Sequence, residues 1–113
     1  MKIEAYSFGS IAIEGRRYSS DVIIYPDRVD DRWWRAEGHL LQVSDIQDIL
    51  EARPDTLIVG TGYSGRMQIA PAVEDELRKH GITLIAEPTG EAWKTYNELQ
   101  ASRRAVAALH LTC

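Results

Sequence analysis

Between residues 56 and 111 the chain alternates short apolar runs with helix-like segments, and that order fixes most of what it can become. Thr56-Leu57-Ile58-Val59 reads as a buried strand, Ile82-Thr83-Leu84-Ile85-Ala86 as a second and Ala105-Val106-Ala107-Ala108-Leu109 as a third. Pro71 suits the first turn of an intervening helix, where its missing N–H costs nothing. Glu74, Asp75 and Glu76 then precede Arg78, Lys79 and His80, an order that complements the helix dipole, and Gly81 supplies the stop. Glu91 to Ser102 reads as a further helix, with Ala92, Tyr96 and Leu99 on one face. A β-α-β-α-β order of this kind calls for parallel strands joined by right-handed crossovers.

The first third has a different grammar. Ile3, Ala5 and Ser7 alternate with Glu4, Tyr6 and Phe8, and turns follow at Gly9-Ser10 and Glu14-Gly15 around Ile11-Ala12-Ile13. Val22-Ile23-Ile24-Tyr25 is stopped by Pro26, which cannot donate to a ladder. Such short strands with tight turns pair antiparallel. Ser44 stands three residues before Gln47 as a helix N-cap, and Ile46, Ile49 and Leu50 give that helix an apolar face before Pro54. The expected architecture is one α/β domain over residues 1–113. Its mixed central sheet has antiparallel N-terminal strands and a parallel βαβαβ C-terminal part, flanked by helices.

A chain of 113 residues buries one core without staples. Its net charge of -4 argues against a nucleic-acid partner, and the pairs Arg16-Arg17 and Arg103-Arg104 are too small to form a phosphate-binding patch. The single cysteine, Cys113, excludes an internal disulfide and fits a reducing compartment. Met1-Lys2 opens no basic-then-apolar leader, and no apolar run is long enough to span a membrane. A cytoplasmic protein with no membrane partner is the expectation.

Parallel strands place their C-terminal ends on one edge, and ligands of open α/β sheets bind outside that edge. The segments expected there are Gly60–Ala70, Glu87–Gly90 and His110–Cys113. Gly60-Thr61-Gly62-Tyr63-Ser64-Gly65 spells G-x-G-x-x-G behind a strand, and Glu87 ends the next strand as a ribose-binding acid would. A pyrophosphate cradle needs a helix opening within the loop, but Arg66-Met67-Gln68-Ile69-Ala70 intervenes before Pro71. The favoured reading is therefore a sharp strand-exit loop whose glycines take positive φ. A nucleophile elbow on Ser64 fails because Arg66 replaces the final glycine, and it would also need His110 and Glu87 close by. His110 with Cys113 offers too few ligands for zinc, and His39 and His80 lie in unrelated segments. No metal and no cofactor is expected, and no catalytic residue is assigned.

Trp33-Trp34-Arg35 follows the charged run Asp27–Arg32. In an extended segment the two rings point to opposite sides, so one fills the core and the other is free to stack on a partner. The candidate contact residues are Trp34 and Tyr63 as stacking groups and Arg35 and Arg66 as anion or carboxylate anchors, with Gly60, Gly62, Glu87 and Thr89 completing the edge. A competing reading uses the same edge in a small-molecule receptor or enzyme, with Glu87 as acid/base and the glycine loop as cradle. A third gives Cys113 a redox role, which needs an accessible and acidic thiol.

Several strings place the chain further: Trp33-Trp34-Arg35 with Gly38-His39, Leu57-Ile58-Val59-Gly60-Thr61-Gly62, Leu77-Arg78-Lys79-His80-Gly81-Ile82, Thr95-Tyr96-Asn97-Glu98-Leu99 and Leu109-His110-Leu111-Thr112-Cys113. In this order they resemble a widespread domain-of-unknown-function family over nearly the whole chain. Its eukaryotic relatives include the adipogenesis-associated MTH-domain protein and a mitochondrial complex I assembly factor. The resemblance implies a single α/β domain with a mixed sheet and no agreed activity or cofactor. It also implies a role in protein contacts, whether with a protein partner or with further copies of itself, in a stand-alone member of the family.

Overall fold

The computed structural model describes all 113 residues. Three strands open the chain, β1 (Ile3–Ser7), β2 (Ser10–Ile13) and β3 (Arg16–Tyr18), paired antiparallel in that order. The register shifts between Ile3 and Ala5, so the side-chain alternation expected for β1 breaks at Glu4. Past this bulge Tyr6 turns toward the core and Ala5 faces solvent, a reversal that one extra residue always causes.

The central sheet holds five strands: β4 (Val22–Ile24), β5 (Val29–Asp30), β7 (Thr56–Thr61), β9 (Thr83–Glu87) and β10 (Ala105–His110). Their spatial order is β5-β4-β10-β7-β9. The central strand β10 runs antiparallel to β4 and parallel to β7, and β7 is parallel to β9. The mixed sheet expected from the sequence is thus present. A further short parallel pair, β6 (Leu40–Leu41) with β8 (Gln68–Ile69), carries too few residues for any periodicity to announce it.

Three helices flank the sheet: α1 (Gln47–Ala52), α2 (Pro71–Lys79) and α3 (Thr89–Leu99). The chain moves from β7 outward to β9 and then back across β7 to β10. Two right-handed crossovers in opposite directions require helices on opposite faces. The cores agree. Val73 and Leu77 of α2 pack with Trp33, Leu57, Val59 and Val106 on one face, and Ala92 and Tyr96 of α3 pack with Ile58, Ala107 and Leu109 on the other. The β1–β3 sheet covers that second face beside α3 through Ile3, Ile11 and Ile13. β7 and β10 are buried along their full lengths, which explains their unbroken apolar runs.

Two helix boundaries differ from expectation. Ser44 lies exposed inside a 3-10 turn (Val43–Asp45), and α1 begins only at Gln47 without a side-chain cap. Asp45 serves the turn instead, its carboxylate accepting the Gln42 N–H at 2.8 Å. α3 starts at Thr89, not Glu91, and ends at Leu99. Pro88 supplies the extended residue before it, and Thr89 thereby sits directly on the glycine loop. No helix is long and apolar enough to cross a membrane.

Candidate functional site

The three segments expected at the C-terminal edge of the parallel strands do meet there, and they are laced together by hydrogen bonds. Gly62 N–H donates to Thr89 Oγ1 at 2.9 Å, and that hydroxyl donates in turn to the His110 carbonyl at 2.6 Å. Thr89 N–H donates to the Gly62 carbonyl and Tyr63 N–H to the Thr112 carbonyl. Gly65 N–H closes the loop on Gly62, and Thr61 Oγ1 donates to the Glu87 carbonyl. The loop therefore spends the Gly62, Tyr63 and Gly65 donors, including two of its three glycine N–H groups, on its own chain. A phosphate cradle needs those donors free and pointing outward.

The glycines are explained by this closeness. A Cβ on Gly60 would lie 2.7 Å from Thr89 Oγ1, and one on Gly62 would lie 2.7 Å from the Thr112 carbonyl oxygen. Gly62 also holds φ at 104°, where a side chain is strained. Between the loop and α2 lie Arg66 to Ala70, including β8, so the α2 N-terminus is displaced from the glycines as the spacing requires.

Beneath the loop lies a charged cluster. The Val22–Leu109 register sets Asp21, one residue before β4, beside His110 at the end of β10. Asp21 Oδ2 accepts from Arg35 Nη1 at 2.9 Å and from His110 Nδ1 at 2.8 Å, and Oδ1 accepts the Leu111 N–H at 2.8 Å. A carboxylate only accepts, so His110 carries its proton on Nδ1. The 3.1 Å approach of Arg35 Nη2 to that same nitrogen is then a close packing of two donors, and Nη2 donates to the Gly38 carbonyl. Burial alone would raise the Asp21 carboxyl, but the hydrogen bonds from His110, Leu111 and Arg35 and the charge of His110 hold it below its ordinary range. His110 Nε2 and Arg35 Nε are buried without partners, and the His110 ring lies against Gly62. An Asp–His pair enclosed in this way has no room for a reacting atom beside Nε2. It pins three segments together.

The structure divides the candidate residues. Gly60, Gly62 and Thr89 form the joint just described. Arg35 is buried on Asp21, with its guanidinium 4.7 Å from the Trp33 ring, so as an anion anchor it is already occupied from within. Glu87 accepts from Thr95 Oγ1 of α3 at 2.7 Å. Tyr63 and Arg66 are exposed at the edge. Trp34 is 78% exposed but lies apart, lining a shallow hollow with Asp30, Asp45 and Asp48 beside α1. Sequence reasoning overlooked Asp21 and Phe8. Phe8, 56% exposed in the β1–β2 turn, meets Tyr63 edge-on with ring centroids 5.7 Å apart, and Tyr6 stands 6.5 Å from the same ring. The largest hollow of the surface, of about 630 Å3, lies elsewhere, among Tyr25, Arg28, Asp48, Glu51 and Arg104.

Known structures share this fold. The conserved hypothetical protein PH1505 from Pyrococcus horikoshii OT3 is 31% identical, with a TM-score of 0.88 and all of each chain covered. The protein MT938 is 27% identical, with a TM-score of 0.81, 99% of this chain and 98% of that one covered. A Mth938-like domain protein of Bordetella pertussis, 23% identical with 97% of this chain and 85% of that one covered, shares the fold at a TM-score of 0.63. A family model described as a protein of unknown function (DUF498/DUF598) matches residues 3–111. With that match over nearly its whole length, and with Mth938-like folds around it, the chain belongs to the DUF498/DUF598 family of MTH-type domains.

Proposed function

We propose that this protein is a non-catalytic binding module that docks a protein partner on the edge formed by the glycine loop, the β1–β2 turn and the C-terminal tail. The observation that carries the reading is the exposed Tyr63–Phe8 pair, 60% and 56% exposed, seated on a loop tied down through the Gly62, Tyr63 and Gly65 N–H groups. Exposed aromatic rings on a rigid platform are what binding hot spots are made of, since they add contact area at little entropic cost. Arg66, exposed in the same loop, supplies a carboxylate anchor. The single free thiol of Cys113 supports a cytoplasmic setting.

The competing reading, a small-molecule receptor or enzyme built on loop 60–65 and Glu87, is weakened because the Gly62 and Tyr63 donors go to Thr89 and Thr112 and one oxygen of Glu87 accepts from Thr95. Native mass spectrometry before and after denaturation separates the two. A protein partner captured by the wild type and lost with Tyr63→Ala and Phe8→Ala, both folded, is the expected result. A small-molecule adduct that disappears on denaturation, or a partner indifferent to both substitutions, overturns the proposal.

A further inference from the structure

The outer edge of the central sheet is undefended. β9 pairs only with β7, and its sequence Thr83-Leu84-Ile85-Ala86-Glu87 holds no lysine, no proline and one charge at its end. Natural edge strands normally carry such features to prevent pairing with another chain. Thr83 N–H donates to the Asp55 carbonyl, so by the alternation of a strand the backbone groups of Ile85 and Glu87 also face β7. Those of Leu84 and Ala86 point away from the sheet. Ala86 and Thr83 are exposed, and Leu84 and Ile85 are half-buried.

We propose that β9 is a self-association strand, pairing antiparallel with β9 of a second copy across a two-fold axis at Ile85. The geometry is self-complementary. Centring on Ile85 sets Leu84 opposite the second copy's Ala86, and these are the residues whose N–H and C=O groups are free. Each Leu84–Ala86 pair then exchanges both of its hydrogen bonds, and the two sheets become one continuous sheet. Ile85 meets its own copy in the close, non-hydrogen-bonded position, where β-branched pairs pack well. Glu87 falls opposite Thr83, so no like charges confront one another. Glu74 and Arg78 of α2 flank a hollow over Leu84 on one face. A register one residue away would oppose inward-facing to outward-facing backbone groups and lose the bonds. This inference stands apart from the Tyr63–Phe8 surface, which lies on the sheet's C-terminal edge.

A contact of one five-residue strand is small, so the dimer is weak and concentration-dependent. Sedimentation of the full chain across a concentration series, with residue-resolved amide exchange, tests it. The expected result is a monomer–dimer transition in which the Leu84 and Ala86 amides alone within β9 gain protection as concentration rises. Ala86→Pro removes only an outward N–H, which an edge strand tolerates, and should weaken association by about tenfold or more while leaving thermal unfolding of the dilute protein in place. A chain still monomeric at about 1 mM overturns the proposal. So does a dimer indifferent to Ala86→Pro, or protection that rises outside β9. The exchange readout needs no variant and decides the matter even where Ala86→Pro fails to fold.

Discussion

Asp21 and His110 meet at 2.8 Å across the β4–β10 pairing, and through that contact a single carboxylate holds the Arg35 segment, the start of β4 and the C-terminal tail. Its removal leaves Arg35, whose side chain is 5% exposed, as an uncompensated buried cation. Asp21→Asn should therefore destabilise the protein by about 3 kcal/mol or more. Urea unfolding followed by circular dichroism measures it. A cost under about 1 kcal/mol would show that Arg35 finds another partner or reaches water.

The same carboxylate gives stability a pH dependence of known sign. Its folded-state value is depressed below the ordinary 3.8, so the unfolded chain binds the proton more readily. Its contribution is complete above that ordinary value and is lost as pH falls through the lower folded-state value. Urea midpoints taken from neutral pH downward should fall steeply in the acid range for the wild type. Asp21→Asn should fall less steeply, the two curves converging at the acid end. Parallel curves would remove Asp21 from the acid transition.

How much of this was legible beforehand divides along one physical line. Val106–Leu109 and Leu57–Val59 announce themselves because strands buried on both faces must be apolar throughout, and the β-α-β-α-β order then dictates parallel pairing. Tyr63 on an exposed loop was legible for the same local reason. Asp21 was not. Nothing around it in sequence points to His110, because their meeting depends on the register between β4 and β10, a long-range fact. Phe8 was hidden by the bulge at Glu4, which breaks the period used to read β1. Thr89 reads as loop because helix propensity does not show where α3 begins. Pro88 and the bonds from Thr89 to the glycine loop decide that.

Gly60 and Thr89 should behave as a coupled pair. A Cβ at Gly60 would meet Thr89 Oγ1 at 2.7 Å and Leu109 Cδ2 at 2.9 Å, so Gly60→Ala should cost about 2 kcal/mol. Thr89→Ala orphans the buried Gly62 N–H and should cost about 1–3 kcal/mol. It also removes the oxygen that the new methyl strikes. The double variant should then be more stable than the sum of the singles allows, by about 1 kcal/mol, in a double-mutant cycle. Strict additivity would mean that Leu109, not Thr89, is what excludes a side chain at residue 60.

The two adjacent tryptophans make a sharp contrast. Trp33 is 9% exposed, lies in the core with Leu41 and Ile46, and donates its indole N–H to the Asp45 carbonyl at 3.1 Å. Trp33→Ala should cost about 3–5 kcal/mol. Trp34, at 78% exposure, should change stability by no more than about 0.5 kcal/mol when replaced by alanine. Iodide quenching of the native fluorescence should be mostly lost with Trp34→Phe. Quenching that survives would place the accessible indole elsewhere, at the half-buried Trp93.

Alkaline titration reads both cores at once. Burial pushes the phenols of Tyr25 and Tyr96 from 10.0 to about 12, one on each face of the central sheet. For Tyr25 the carboxylates of Asp48, Asp30 and Glu51 add to the effect against the opposing charge of Arg28. Both phenols keep their protons in the fold at a pH where the unfolded chain has lost them. Their contribution to stability is whole below pH 10 and declines as pH rises through the folded-state value near 12. The tyrosinate absorbance of the five tyrosines should rise in two stages, the second coinciding with unfolding. Tyr25→Phe should lower that second stage by one phenol. It should also slow the alkaline loss of stability, because phenylalanine retains the buried ring and has no proton to lose. A single transition near the ordinary value would mean that both hydroxyls reach solvent in the folded protein.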